Sequence, residues 1–114
     1  MLNVNNKEAK MVTKTQWSQM ERVRKATNRR WAYNLFGKGL AEETLAREAL
    51  LNWVYEKGGI ATVERNGWEP TIHIMVGPVD NDLFEERWVS KPTQITEALV
   101  EAFLQVFAPN SEEA

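Results

Sequence analysis

Between residues 60 and 76, apolar and polar side chains alternate on both sides of an Asn-Gly pair. Alternation with a period of two is the pattern of half-buried β-strands, and Asn66-Gly67 favours a two-residue type I′ turn because both residues tolerate positive φ. Such a turn predicts a hairpin in which the pairs are Arg65 with Trp68, Val63 with Pro70, and Ala61 with Ile72.

The predicted hairpin has one apolar face and one polar face. The apolar face collects Ala61, Val63, Trp68, Pro70, Ile72, Ile74 and Val76. The polar face collects Thr62, Glu64, Glu69, Thr71 and His73. We expect the helices that precede and follow the hairpin in the chain to pack on its apolar face.

Residues 14–35 carry apolar side chains at steps of three and four, which predicts a helix. Thr13 and Gln16 have the form of a capping box at its start, and Gly37 and Gly39 end it. The side chains at these steps form one stripe, which consists of Trp17, Met20, Thr27, Trp31 and Leu35. Nearly opposite lie the basic residues Arg22, Lys25 and Arg29, with Arg30 and Tyr33 at the flanks.

A second helix is predicted over residues 41–57, ended by Gly58-Gly59. Its predicted buried face is Leu45, Ala46, Ala49, Leu50, Trp53 and Val54. Residues 84–90 alternate again and predict a third strand, for which either face fits the core. A last helix is predicted over residues 92–107. Its predicted inward residues are Ile95, Ala98, Leu99, Ala102, Phe103 and Val106.

These elements predict an α+β domain in the order α-α-β-β-β-α, with a three-stranded antiparallel sheet packed on helices. The single domain is expected to cover residues 14–108, between a loose N-terminal arm at 1–13 and an acidic C-terminal tail at 109–114. The chain has no cysteine, and no apolar run approaches the roughly 18 residues of a membrane span. A cytoplasmic location without membrane contact is therefore the expectation.

Positive and negative charges are separated along the chain, although the net charge is only −2. Residues 1–40 contain nine Lys and Arg and two Glu, a balance of +7. Residues 41–114 contain five basic and fourteen acidic residues, a balance of −9. A charge separation of this size indicates either a charged partner or attraction between the two parts of the chain. It does not indicate a particular fold.

The basic helix supports several functional interpretations. A nucleic-acid surface would use Lys14, Arg22, Lys25, Arg29, Arg30 and Lys38 against phosphates. Trp31 and Tyr33 would then stack on bases. Alternatively, the same face meets an acidic protein partner, or it forms salt bridges with the acidic remainder of the domain. Capture of a small anion by Arg29, Arg30 and Lys38 is a further alternative.

Five tryptophans are many for the core of a 114-residue chain. Three of them fit predicted buried faces, and surplus aromatic side chains are typical anchors of binding surfaces. Trp88 is the first candidate for an exposed anchor, and Trp31 is the second. If the strand at 84–90 forms a sheet edge, its backbone also allows pairing with a partner or a second copy.

Few residues carry catalytic or metal-binding chemistry. His73, the single histidine, lies on the polar hairpin face near Glu64, but no Ser or Cys nucleophile stands at a recognisable spacing. Asp80-Asn81-Asp82 lacks the glycine and terminal glutamate of a calcium loop, and it is typical of a hairpin loop. Gly37-Lys38-Gly39 is too short for a phosphate loop. We therefore predict no catalytic residue, no metal site and no cofactor.

Two resemblances follow from the element order. Residues 40–107 are similar in layout to a double-stranded-RNA-binding domain, and Ser90-Lys91 stands where that family opens its last helix with Ser-Lys-Lys. In this chain Pro92-Thr93-Gln94-Ile95 replaces the basic run with which that family enters the helix. Only Lys91 therefore carries over as a phosphate contact. The layout also resembles small bacteriophage proteins of unknown function, of the ABA-sandwich kind, through residues 49–60 and the Pro-led helix at 91–104. This second resemblance implies a phage accessory protein that acts by binding host or defence components.

The sequence therefore predicts a non-enzymatic binding protein, of phage accessory or inhibitor type, that docks on a protein partner. The residues expected to contact the partner are Arg22, Lys25, Arg29, Arg30, Trp31 and Trp88. The alternative is nucleic-acid binding through the basic helix at 14–36. Homo-oligomerisation through the strand at 84–90 is compatible with either function.

Overall fold

The computed structural model describes residues 12–65, 67, 71–78 and 84–108. Its helices are α1 (Lys14–Thr27), α2 (Leu40–Glu56) and α3 (Ile95–Phe107), and its strands are β1 (Gly59–Arg65), β2 (Ile72–Pro78) and β3 (Glu85–Val89). Two 3-10 segments, Arg30–Asn34 and Pro92–Gln94, precede α2 and α3. The strands form one antiparallel sheet in the order β1-β2-β3, which confirms the predicted α+β class and element order.

The register between β1 and β2 differs from the predicted one. The observed pairs include Ala61 with Val76, Val63 with Ile74, and Arg65 with Ile72, so the predicted pairs were wrong. Residues 66–71 separate the last paired positions, where a two-residue turn was predicted.

The change of register leaves the predicted faces of the hairpin intact. It amounts to an even number of residues, so each side chain of the paired segments keeps its side of the sheet. Ala61, Ile72, Ile74 and Val76 are buried, as predicted. Asn66 of the predicted turn lies outside the described residues, as do residues 68–70.

Helix α1 begins as predicted and ends earlier than predicted. The Thr13 hydroxyl accepts from the Gln16 N–H at 3.0 Å, and the Gln16 side-chain oxygen accepts from the Thr13 N–H at 3.1 Å, which confirms the capping box. Asn28 then adopts a left-handed φ of 58° and ends the helix. A continuous helix to Leu35 was therefore the wrong prediction, because asparagine tolerates this conformation better than most residues.

The early end of α1 changes which of its side chains are buried. Met20, Val23 and Thr27 are buried, and the Thr27 hydroxyl donates to the Val23 carbonyl at 2.8 Å. Trp17 was predicted to be buried but is 51% exposed, and it stacks on Tyr33 with the ring centroids 5.5 Å apart. The predicted stripe ran across Asn28, where the helix ends, so Trp17 and Leu35 do not share one helical face.

Helices α2 and α3 cover one face of the sheet. α2 contacts β1, α3 contacts β2 and β3, and α1 packs on α3 and the first 3-10 segment. The predicted inward residues of α3 are buried or half-buried, as predicted. On α2 the predicted face holds except at Leu45, which is 66% exposed because it lies at the margin of the arc that Ala46, Leu50, Trp53 and Val54 bury.

A polar cluster joins α2 to α3 inside the fold. The buried Glu43 carboxylate accepts from the Thr96 hydroxyl at 2.5 Å, and the Arg47 guanidinium donates to the Thr96 hydroxyl oxygen at 2.9 Å. Arg47 also lies 3.5 Å from the Glu43 carboxylate. Buried polar groups need such partners, so this cluster has a structural role and fixes the start of α3 against α2.

The other face of the sheet carries no helix among the described elements. Because side chains alternate along a strand, those that do not enter the core point to this open face. They are half-buried or exposed, and they comprise Ile60, Thr62, Glu64, His73, Met75, Glu86 and Trp88. Within the described residues, no further element covers the open face or pairs with the two sheet edges.

Gly59→Ala is expected to lower the free energy of unfolding by about 1–3 kcal/mol. A Cβ at this position would lie 2.8 Å from the Gly77 carbonyl oxygen and 2.8 Å from a Val54 methyl carbon, and neither is free to move aside. Urea denaturation measures the effect. Gly67→Ala is the matched control, because a Cβ there meets no atom within 4 Å. Equal losses in the two variants would contradict the close contact as the cause.

Candidate functional site

The largest concentration of exposed positive charge lies on α1 and the loop segments that follow it. We define the basic surface as the exposed side chains of Lys14, Lys25, Arg29, Arg30 and Lys38. Arg29 and Arg30 come directly after the left-handed Asn28 and start the 3-10 segment. The early end of α1 therefore presents both arginines on a turn instead of a continuous helical face.

Arg22 differs from the rest of the predicted basic face. Its side chain is half-buried, and its guanidinium donates to the Ala108 carbonyl at 3.4 Å, at the end of α3. Arg24 donates to the Asn28 side chain at 3.2 Å. Arg22 therefore holds α1 to the end of α3, whereas the five side chains of the basic surface extend into solvent.

The acidic part of the described chain does not neutralise the basic surface. Within the described ranges, the ion pairs join Glu43 to Arg47, Glu85 and Glu101 to Arg87, and Glu86 to His73. None of them includes a side chain of the basic surface. The positive charge that the sequence concentrates in its first part thus remains available to a partner.

The two predicted tryptophan anchors differ in exposure. Trp31 is half-buried and packs against the core from the 3-10 segment. Trp88 is 60% exposed on the open face of the sheet, as an anchor would require. Since the basic surface is carried by elements on the helical side, the structure does not bring Trp88 together with Lys25, Arg29 and Arg30.

Trp88 belongs to a small cluster on the open face. Its ring stacks on His73, with centroids 4.0 Å apart and an interplanar angle of 18°. His73 Nε2 lies 2.9 Å from a Glu86 carboxylate oxygen, and Glu64 is the cross-strand partner of His73 in β1. Of the neighbours predicted for His73, Glu64 is therefore confirmed at its side, whereas Trp88 and Glu86 were not predicted there.

Sequence reasoning missed a groove along the free edge of β1. Its volume is about 400 Å³, and it is lined by Glu48, Leu51, Asn52, Tyr55, Ala61, Thr62, Val63 and Glu64. The Tyr55 hydroxyl donates to the Ala61 carbonyl at 2.9 Å, so this carbonyl points away from β2. Leu51 and Tyr55, one turn apart beside the predicted buried face of α2, were the sequence signal for this groove.

Two negative findings apply to the described part of the chain. No three His, Cys, Asp or Glu side chains in it converge in a way that could hold a metal ion. None of its helices is both long and apolar enough to cross a membrane. Asp80-Asn81-Asp82 lies outside the described residues.

Comparisons with protein-family models, curated proteins and solved structures find nothing that matches this chain.

Trp88→Ala is expected to cost about 0.5–1.5 kcal/mol of unfolding free energy, the scale of an aromatic stack at an exposed site. Trp53→Ala is expected to cost about 3–5 kcal/mol, because Trp53 is buried against Phe103 and Phe107. Urea denaturation of both variants measures the difference. A loss at Trp88 as large as that at Trp53 would assign Trp88 to the core and exclude it as an exposed anchor.

Proposed function

We propose that this protein is a non-enzymatic binding protein whose basic surface docks on an acidic surface of a protein partner. The observation that supports the proposal is the set of exposed Lys and Arg side chains on α1 and the following turn, which have no carboxylate partner among the described residues. Arginine and lysine at such positions raise association rates and favour partners of opposite charge.

The net charge favours a protein over a nucleic acid as the partner. Trp31 does not decide between the two, because its packing against the core removes the ring equally from base stacking and from the residues expected to contact a protein partner. The net charge of the chain is −2, whereas nucleic-acid-binding domains are usually basic as a whole.

Docking of this kind agrees with the accessory or inhibitor role that the resemblance to small bacteriophage proteins implies. A small protein that covers an acidic surface of a larger one prevents other ligands from reaching that surface. Homo-oligomerisation through the strand at 84–90 stays a prediction, since β3 is an edge of the described sheet but Arg87 covers the Glu86 carbonyl there.

The triple variant Lys25→Glu/Arg29→Glu/Arg30→Glu is expected to weaken partner binding by at least about tenfold, because it reverses the charge that attracts the partner. The tagged chain first captures its partner from a cell lysate, with and without nuclease treatment. The affinity for the purified partner is then measured at low and at high salt. We expect capture that resists nuclease and weakens with salt.

The matched control is Lys57→Glu/Arg65→Glu/Lys91→Glu, which changes the net charge equally at exposed positions outside the basic surface. Equal loss in both triple variants would contradict docking through the basic surface. Capture that disappears after nuclease treatment would replace the proposal with nucleic-acid binding through Lys14, Arg22, Lys25, Arg29, Arg30 and Lys38.

A further inference from the structure

The groove along the free edge of β1 combines three features of a strand-binding site. Among the described strands β1 is an edge of the sheet, so the backbone groups that point away from β2 are not used by the ladder of these strands. One wall is α2, which supplies the apolar Leu51 and the Tyr55 ring. The rim carries two exposed carboxylates, Glu48 and Glu64. We propose that this groove binds an extended basic segment of a protein partner as an additional strand of the sheet.

The hydrogen bond of Tyr55 shows in which direction the backbone groups of β1 point. Its hydroxyl donates to the Ala61 carbonyl, which therefore points into the groove. In an antiparallel pair, alternate residues direct their N–H and C=O groups to the same side, so Val63 and Arg65 also present theirs at this edge. The Tyr55 hydroxyl occupies the position at Ala61, and an incoming strand consequently forms its ladder with Val63 and Arg65.

The side chains around the edge specify the composition of the incoming segment. Side chains of a β-strand alternate between two sides, so one set of an added strand faces α2 and the other faces the open side of the sheet. On the helical side Leu51 and Val63 offer an apolar floor. On the open side Glu64 stands beside the strand. A segment that alternates apolar and basic residues matches both sides.

The charge of the groove favours lysine and arginine in the partner. Neither Glu48 nor Glu64 has an ion pair among the described residues, so a cation can approach either carboxylate without displacing an existing partner. Arg65, the nearest basic residue along β1, lines a separate small cavity together with Ser90 and Pro92. Strand addition supplies affinity through main-chain hydrogen bonds and selectivity through such side-chain contacts.

The test uses the full chain and a fluorescein-labelled peptide of alternating lysine and valine. Fluorescence anisotropy measures the affinity, and NMR-detected hydrogen exchange follows the Val63 amide. We expect saturable binding, slower exchange at Val63, and at least about tenfold weaker binding after Glu48→Lys/Glu64→Lys. The control Glu42→Lys/Glu97→Lys makes the same change of charge at exposed helical positions away from the groove and is expected to bind normally.

A second probe separates strand addition from charge attraction alone. The same peptide with N-methylated backbone amides keeps its charge but cannot form the ladder, so we expect it to bind at least about tenfold more weakly. Undiminished binding of the methylated peptide, equal losses in the two double variants, or unchanged exchange at Val63 would overturn the proposal. Protection of Val63 that grows with protein concentration without peptide would assign the groove to a second copy and overturn it too. Because the basic surface takes no part, these results are independent of the proposed function.

Discussion

The packing of α2 and α3 against one face of a three-stranded sheet is the constraint on which the other features of this protein depend. The strands alternate strictly, so burying Ala61, Ile74 and Val76 under the helices turns His73, Met75 and Trp88 outward at the same time. A sheet of three strands has only one interior strand, and β1 and β3 both become edges. The open face, the groove at β1 and the exposed Trp88 follow from this single arrangement.

This constraint also explains which sequence-based expectations were accurate. The buried face of the described hairpin strands could be predicted, because a period of two survives any even change of register. The register itself could not be predicted from the Asn-Gly signal, since turn preference is a local effect and pairing is decided by the whole length of β1 and β2. Similarly, α3 was predicted well because one strongly apolar face fits one sheet, and its polar residues Glu97 and Glu101 are exposed.

The errors lie where two local signals compete. The spacing from Trp17 to Leu35 fits one helix, but Asn28 accepts a left-handed conformation and the chain turns there. The position of Trp17 then depends on its contact with Tyr33, which no periodicity predicts. The groove at β1 was missed for a related reason. It forms between a helix flank and a sheet edge, and its signal in the sequence, Leu51 and Tyr55 one turn apart, is not a motif by itself.

The two edges of the sheet differ in how well they could accept another strand. At β3 the Arg87 guanidinium donates to the Glu86 carbonyl at 3.0 Å and lies 2.8 Å from the Glu85 carboxylate, so it covers the middle of a five-residue strand. At β1 the Tyr55 hydroxyl covers the carbonyl of Ala61 and leaves the backbone of Val63 beyond it. Covering an edge with a charged side chain is a common protection against unwanted pairing. At β1 the cover that Tyr55 provides ends at Ala61, and the rest of the strand lies beside an apolar wall and two carboxylates. This edge is therefore the more suitable one for a basic strand.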